Sequence, residues 1–158
     1  MNKKTKILIS VLAGVALCVV AGYAISNASP GANGGHPNSN NSTGPADRVD
    51  VVYFHRTQRC YTCRYAEDGT RYTLETYFTD ELASGRVTFQ VINVEDEANA
   101  DIVEKYNNAS YLTLCINTVR DGTDHIEQVT DIWLVIGDDE SFVEIVKNKI
   151  EKSLNGEA

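Results

Sequence analysis

The sequence predicts an α/β fold, a four-stranded mixed sheet flanked by helices and preceded by an N-terminal membrane helix. The first observation is the length of 158 residues, about that of one domain. The second is that all Asp and Glu residues lie from Asp47 onward. The third is that short β-branched and aromatic runs in this part alternate with longer stretches of helical period. Such alternation is typical of sheets built from strand–helix–strand units.

The first 26 residues have the pattern of a membrane segment. Three lysines near the N-terminus precede a mostly apolar, uncharged run at residues 7–26, which is long enough for a helix to cross a bilayer. Basic residues favour the cytoplasmic side. We therefore expect residues 1–6 to be cytoplasmic, residues 7–26 to anchor a single-pass protein in the cell membrane, and the C-terminal domain to be extracytoplasmic.

Other fates of this segment stay open. Small residues around Ala28 allow cleavage of a signal peptide near that position, which would release a secreted protein. Lipoprotein processing at Cys18 is a third alternative, although Leu17 stands where a lipobox has a small residue. Residues 27–47 are rich in Asn, Gly and Ser without hydrophobic period, and we interpret them as a flexible linker.

The domain at residues 48–158 begins with a strand and a long helix. Asp50–His55 is a short apolar run typical of a buried strand. A helix is predicted from Tyr61 to about Ser84, with Gly85 as its stop. Gly69 should weaken or kink this helix, because glycine costs about 1 kcal/mol in a helix interior. The side chains available to its buried face are Tyr72, Leu74, Tyr77, Phe78 and Leu82.

The remaining elements are predicted in the order strand, helix, strand, strand, helix. The first four of these elements occupy Arg86–Asn93, Glu95–Tyr106, Ser110–Arg120 and Asp124–Val129. The closing helix begins at about Asp138, and its apolar stripe consists of Phe142, Ile145, Val146, Ile150 and Leu154. Asp121-Gly122 is a hairpin signal, and Trp133 and Leu134 are expected in a short packed turn. Two right-handed crossovers followed by a hairpin give a four-stranded mixed sheet.

The charge of the domain excludes one class of partner. From Asp47 onward the chain has 22 acidic residues against 11 basic ones. Binding to phosphates requires clustered Lys and Arg. We therefore expect no nucleic-acid partner.

The cysteine pair Cys60-Tyr-Thr-Cys63 is the main functional motif. As a disulfide it would close a very short loop and stabilise the fold little. A Cys-x-x-Cys between a first strand and a helix is the placement of a redox pair. At the helix start Cys60 would be the exposed, attacking thiolate, with Arg59 adding positive charge nearby, and Cys63 would be the resolving thiol.

These features resemble the thioredoxin family. The resemblance covers about Arg48 to Ser153 in element order and is close locally at Tyr106–Leu114. It implies that Leu112 takes the place of the family's cis-proline, followed by Thr113, and that this loop faces the dithiol and docks substrate. Because a cis bond before a non-proline residue costs about 3 kcal/mol, we expect a trans bond at Leu112. A metal site beside the thiols then becomes easier to imagine.

A second departure concerns proton transfer. The resemblance implies a buried Asp in the first strand, whose position here holds Tyr53. Transfer to or from Cys63 would then need another group, and Glu67 or His55 could serve. Either side chain could also be structural, as a solvated helix residue or a strand-end residue. Cys115 is expected to be a buried small apolar residue.

A narrower resemblance is carried by Tyr53-Phe-His55, Arg59-Cys-Tyr-Thr-Cys63 and Glu67. This pattern resembles a thioredoxin-like family named as a nitrophenyl-compound nitroreductase subunit of the ArsF type. That name implies an accessory redox role beside a membrane partner.

The leading hypothesis is an extracytoplasmic, membrane-tethered thiol–disulfide oxidoreductase. Its cysteine pair, without another cofactor, would exchange electrons with a small acceptor or with the thiols or disulfides of a protein, a membrane redox protein among the candidates. One alternative is a module that binds Cu(I) or another soft metal through Cys60, Cys63 and His55, since thiolates suit such ions. Another is a redox-silent adaptor with the same fold.

Overall fold

The structure is a computed structural model that describes residues 44–157. The predictions for the membrane segment and most of the linker lie outside the described residues. Within residues 44–157, no helix is long and apolar enough to cross a membrane.

The predicted α/β class is confirmed: a four-stranded mixed sheet is flanked by helices. The strands are β1 Arg48–His55, β2 Val87–Asn93, β3 Thr113–Arg120 and β4 Thr123–Gln128. The helices are α1 Tyr61–Tyr77, α2 Thr79–Ser84, α3 Ala100–Lys105 and α4 Asp139–Asn155, with short 3₁₀ turns at Glu97–Asn99 and Asp131–Leu134. The strand order is β2-β1-β3-β4. β1 is parallel to β2 and antiparallel to β3, and β3 is antiparallel to β4.

The alternating side chains of β1 divide the core between the two faces of the sheet. Val51 and Tyr53 belong to a cluster of 16 buried residues that also contains residues of α1 and α4. Val52 and Phe54 belong to a cluster of five, against which residues of α3 pack. We call these the first and the second face. The first face has the larger part of the apolar core, and it is the face that α1 covers.

The long helix is divided at a different place from the predicted one. The helix is not interrupted at Gly69, where a weakening or kink was predicted, because α1 runs through this residue without a break and ends at Tyr77. The division lies at buried Phe78, between α1 and α2. A Cβ at residue 69 would lie 2.8 Å from Cε1 of Phe142. The glycine therefore lets α4 approach α1 closely.

The buried face of α1 is narrower than predicted. Leu74 and Phe78 are buried as expected, but Tyr72 and Tyr77 are exposed. Trp133 packs half-buried against the first-face cluster. Its neighbour Leu134 is 87% exposed, so the expectation that this side chain packs is wrong.

The segment before β3 is less regular than predicted. Only Ala100–Lys105 is α-helical in the stretch where a helix of about twelve residues was expected. Positive φ angles at Asn107, Asn108 and Leu112 keep residues 107–112 out of both helix and strand. β3 therefore begins at Thr113.

Candidate active site

The two cysteines lie at the start of α1, one exposed and one buried. Cys60 is the N-cap residue, with φ −92° and ψ 175°, and its side chain is exposed. Cys63 is one turn further and only 4% exposed. Their Sγ atoms are 3.2 Å apart and neither is in a disulfide. The arrangement provides one thiol that a partner can reach and a second thiol directly behind it.

The helix start stabilises the thiolate of Cys60. The backbone N–H of Cys63, the Cys63 sulfur 3.2 Å away and the N–H of Thr62 together lower the pKa of Cys60 below its ordinary value of 9. These N–H groups belong to the first turn of a helix, where no backbone acceptor is available to them. Cys115 shows the opposite behaviour, because burial raises its pKa to about 11. The predicted exposed thiol and buried apolar cysteine thus have different reactivities.

Tyr53 supports the helix turn that contains Cys63. Its hydroxyl donates a hydrogen bond of 3.0 Å to the carbonyl oxygen of Cys63, and the side chain is fully buried. Burial raises the pKa of Tyr53 well above its usual value. Tyr53 is therefore a neutral donor that positions the turn, and it is not a base.

Arg59 and Glu67 form an ion pair beside this turn. Glu67 also pairs with Arg71 over 3.2 Å. Burial raises the pKa of Glu67, but the hydrogen bonds from Arg59 and Arg71 outweigh it, so the pKa lies below its ordinary value of 4.5. Glu67 is consequently ionised at neutral pH. The Arg59 guanidinium lies 5.9 Å from the centre of the Tyr53 ring, which completes a cluster of Tyr53, Arg59 and Glu67 next to Cys63.

The loop between β1 and α1 is attached to the neighbouring loops. Half-buried His55 has Nδ1 2.7 Å from the carbonyl oxygen of Arg56, and because a carbonyl oxygen accepts, Nδ1 donates in this bond. The Arg56 guanidinium lies 3.4 Å from the centre of the Tyr111 ring. The backbone N–H of Thr57 donates to the carboxylate of Glu95 over 3.0 Å. These contacts fix the approach of the chain to Cys60.

The predicted metal set is not assembled by the fold. Among residues 44–157, no group of three or more His, Cys, Asp or Glu side chains is arranged to hold a metal ion. His55 therefore does not join Cys60 and Cys63 in a three-ligand cluster. The two thiols are the part of that set that the structure brings together.

Leu112 and Thr113 lie at the end of the sheet where β1 ends. The backbone N–H of Leu112 donates to the carbonyl oxygen of Phe54 over 3.0 Å, and Thr113 pairs with Phe54 in the sheet. No peptide bond within residues 44–157 is cis. Leu112 has φ 60°, which a proline ring cannot adopt. At this position the loop therefore has a trans bond and a left-handed residue whose N–H donates to Phe54.

The comparisons with known proteins give similarities of structure alone. No family model matches the chain, and no curated protein matches its sequence. Among solved structures, the zinc-bound form of human ERp44 has 18% identity and a TM-score of 0.47, covering 68% of this chain and 26% of that one. Thioredoxin O2 from Arabidopsis thaliana in the oxidised state has 16% identity and a TM-score of 0.45, covering 69% and 77%. The Trx4 domain of ERdj5 has 14% identity and a TM-score of 0.44, and the match covers 67% of this chain and 82% of that one.

The present chain thus spans about a quarter of the length of ERp44. The fold assignment depends on the order and pairing of the strands described above. At these identities and TM-scores, no argument about activity follows from the similarities.

Sequence reasoning identified part of the cluster. The structure brings Arg59 and Glu67 together beside the predicted cysteine pair, while His55, Leu112 and Thr113 lie at the adjacent strand ends. The sequence pattern did not assign roles to Tyr53 and Arg71. Arg71 could have been found from its i,i+4 spacing to Glu67. For Tyr53 the one available signal was its place at the family's Asp position.

Proposed function

We propose that this chain is a thiol–disulfide oxidoreductase of the thioredoxin-like kind. The observation that carries the proposal is the exposed Cys60 thiol at the N-terminus of α1, with a lowered pKa and the Cys63 sulfur 3.2 Å away. A lowered pKa increases the thiolate fraction at neutral pH, and the thiolate is the nucleophile of disulfide exchange.

The reaction proceeds in two exchange steps. The Cys60 thiolate attacks one sulfur of a partner disulfide, so that a mixed disulfide forms and the other partner sulfur leaves as a thiolate that takes up a proton. The Cys63 thiol loses its proton and attacks the Cys60 sulfur, which releases the second partner thiolate. Two electrons pass to the partner, and Cys60 and Cys63 become a disulfide. The same steps in reverse oxidise a partner dithiol.

The surroundings of Cys63 suit this second step. The Arg59 guanidinium is close enough for its charge to interact with that of a Cys63 thiolate. His55 and Glu67 stay candidates for the proton acceptor. Glu67, held by two guanidiniums, is a weak base, because its pKa is lowered below 4.5.

Several parts of the proposal depend on the sequence. The run at residues 7–26 supports an anchor in the cell membrane with the domain outside the cytoplasm. The narrower resemblance at Tyr53–His55 and Arg59–Cys63 supports an accessory redox role of the ArsF type beside a membrane partner. A protein thiol or disulfide is the proposed substrate.

Turnover of a protein disulfide tests the reaction. The full chain in neutral detergent should reduce insulin disulfides when a dithiol reductant regenerates it. Cys60→Ser should abolish the reaction, whereas Cys63→Ser should accumulate a mixed disulfide that mass spectrometry detects. Cys115→Ser is the matched control and should keep turnover. If the protein shows no turnover and no mixed disulfide but its two thiols take up Cu(I) stoichiometrically, the soft-metal module is favoured. If it shows no turnover, no mixed disulfide and no Cu(I) uptake, the adaptor is favoured.

Location is tested separately. Protease added to intact cells should degrade the domain, and the full-length protein should fractionate with membranes. A mature protein that begins at Ser29 would show instead that residues 7–26 are a cleaved signal.

A further inference from the structure

A groove of about 1040 Å³ lies between α1 and α4 on the outer side of the first face. It begins at Tyr61, the residue that follows Cys60, and its lining continues along α1 to Tyr72 and Tyr77. The pairs Tyr65–Asp139 and Gly69–Phe142 show that the two helices run alongside each other from their N-termini. The groove therefore leads away from the dithiol along both helices.

The rings in this groove are exposed, while its floor is packed. The side chains of Tyr61, Tyr72 and Tyr77 are 72%, 57% and 46% exposed. Beneath them, Tyr65 and Phe142 meet edge to face, with ring centres 5.4 Å apart. Three exposed tyrosine rings along one groove form a surface that can contact an extended chain at several points.

The charge of the groove favours a cation. Four carboxylates line it, at Asp68, Asp139, Glu140 and Glu144, against two basic side chains. Within residues 44–157, Asp68, Glu140 and Glu144 make no ion pair. The groove also contains one internal example of the contact, since Nζ of Lys147 lies 5.0 Å from the centre of the Tyr77 ring. Tyrosine rings between carboxylates attract ammonium and guanidinium groups by both effects.

We propose that this groove binds an extended, Lys- or Arg-bearing segment of the protein whose thiols or disulfide react with Cys60. This inference depends on the proposed function, because it assigns the groove to the redox partner. Tyr61 and Tyr72 are eleven positions apart in the helix, a distance of about 16 Å. That length accommodates about five residues of extended chain. A partner cysteine bound to Cys60 would thus be followed by side chains that reach Tyr72 and the carboxylates.

The test compares two activated peptides with a small disulfide. Each peptide has a cysteine in a mixed disulfide with 2-thiopyridine followed by six residues, with three arginines in one peptide and three glutamates in the other. The second-order rate constant of the reduced full chain in neutral detergent is followed by thiopyridine release. Hydroxyethyl disulfide provides the reference rate. We expect the cationic peptide to react about tenfold faster than the anionic one at low salt, and this advantage to decrease as salt is added.

Variants separate the groove from the net charge of the domain. Asp68→Asn/Glu144→Gln and Tyr72→Ser should each lower the ratio of the cationic-peptide rate to the hydroxyethyl disulfide rate by about fivefold. The matched control Glu97→Gln/Glu104→Gln removes two exposed acids elsewhere and should change that ratio by less than about twofold.

The outcomes are distinct. Equal rates for the two peptides, or equal losses in the groove and control double variants, would overturn the proposal. If Tyr72→Ser lowers the rate equally for both peptides, the occupant is apolar and the proposal is overturned. If the protein self-associates and Tyr72→Ser abolishes the association, the occupant is a second copy, and the proposal is likewise overturned. If hydroxyethyl disulfide fails to oxidise the dithiol at all, the proposed function itself is wrong, and the groove is not the cause.

Discussion

The two faces of the sheet are stabilised by different kinds of contact. On the first face, α1 and α4 pack so closely that a Cβ added at Gly69 would lie 2.8 Å from the Phe142 ring. On the second face, buried Asp50 is held by Arg48 over 2.7 Å, by Thr88 over 2.7 Å and by Asn117 over 3.4 Å. The dithiol helix thus lies on the face that is ordered by close packing.

The difference clarifies what the substitution at Tyr53 means. A buried acid does exist in β1, but Asp50 faces the side of the sheet away from α1, where it links three strands. On the side of the dithiol, the strand presents Tyr53, whose hydroxyl donates to the Cys63 carbonyl. A buried carboxylate in this strand is therefore a structural group, while the turn around Cys63 depends on a neutral hydrogen bond.

The largest contrast between the two faces should appear in thiol reactivity. At pH 7.5 iodoacetamide should modify Cys60 at least about a hundredfold faster than Cys115, because the pKa of Cys60 is lowered and that of Cys115 is about 11 in a buried site. Peptide mapping after timed quenching measures both rates. Denatured protein, in which the cysteines should react alike, is the control; equal rates in the folded protein would contradict the assigned site.

Removal of the first-face ring should cause the largest loss of stability. Phe142→Ala is expected to lower the free energy of unfolding by about 3–5 kcal/mol, and Gly69→Ala by about 1–3 kcal/mol through overpacking. The double variant should lose less than the sum, since the new methyl group enters the space that the ring has left. Urea denaturation followed by Trp133 fluorescence measures all three. Additive losses would show that the two residues do not share one packing site.

The loop before β3 gives a sharper test of the missing proline. Leu112→Pro should lower the free energy of unfolding by about 3 kcal/mol, because φ 60° is inaccessible to proline and the hydrogen bond to Phe54 is lost. Leu112→Gly should cost less than about 1 kcal/mol, since glycine adopts this angle freely. Denaturation of both variants measures the difference. A proline variant as stable as wild type would show that this loop can adopt the family's conformation.

The polar network of the second face should matter less than the packed ring. Asp50→Ala leaves the hydroxyl of Thr88 without its acceptor and the amide of Asn117 with Asp124 as its remaining acceptor. It should lower the free energy of unfolding by about 1–3 kcal/mol. Disulfide turnover should stay unchanged, because the network lies on the other face. Glu127, which forms an exposed ion pair with Lys149, offers a control. Glu127→Ala should change the free energy of unfolding by less than about 1 kcal/mol. Loss of turnover in a folded Asp50→Ala protein would mean that the two faces are coupled.

The smallest effect concerns pH. The pKa of Glu67 is lowered by its guanidinium partners, so its stabilising contribution is present above its ordinary pKa of 4.5 and is lost as pH falls through the lowered value. Glu67→Gln should therefore make stability less dependent on pH below about 4.5, at a cost of about 1 kcal/mol near pH 7. Urea denaturation at a series of pH values measures this slope. An unchanged slope would show that Glu67 does not titrate as an ion pair.

The sequence predicted the order of elements because each strand and helix has its own periodicity. It did not predict the division at Phe78, since the tolerance of Gly69 inside α1 depends on a ring from α4. The exposure of Tyr72 had the same origin, because the buried stripe of α1 is set by the position of α4. Local spacing alone revealed Cys60 and Cys63 as a site.

The rest of the site depended on contacts between elements. The bond from Tyr53 to Cys63 joins residues ten positions apart in a strand and a helix, and no local pattern announces it. The pair Arg59–Glu67 joins a loop residue to the second turn of α1. Leu112 could be placed by the family resemblance, but its left-handed backbone follows from the loop geometry.

The two points at which the chain enters and leaves the domain are neighbours. The N–H of Ala46 donates to the carbonyl oxygen of Leu154 over 3.2 Å. Gly156 is so close to Gly44 that a Cβ added at Gly156 would lie 2.3 Å from the carbonyl oxygen of Gly44. A short linker could therefore close residues 44–157 into a ring, and new ends could be opened at the hairpin turn Asp121-Gly122. Because β1 starts at this junction and runs about 25 Å to the dithiol end, whatever precedes residue 44 is attached at the opposite end of the domain from Cys60. An attachment made at residue 44, such as an immobilisation tag, would therefore lie about one strand length away from Cys60.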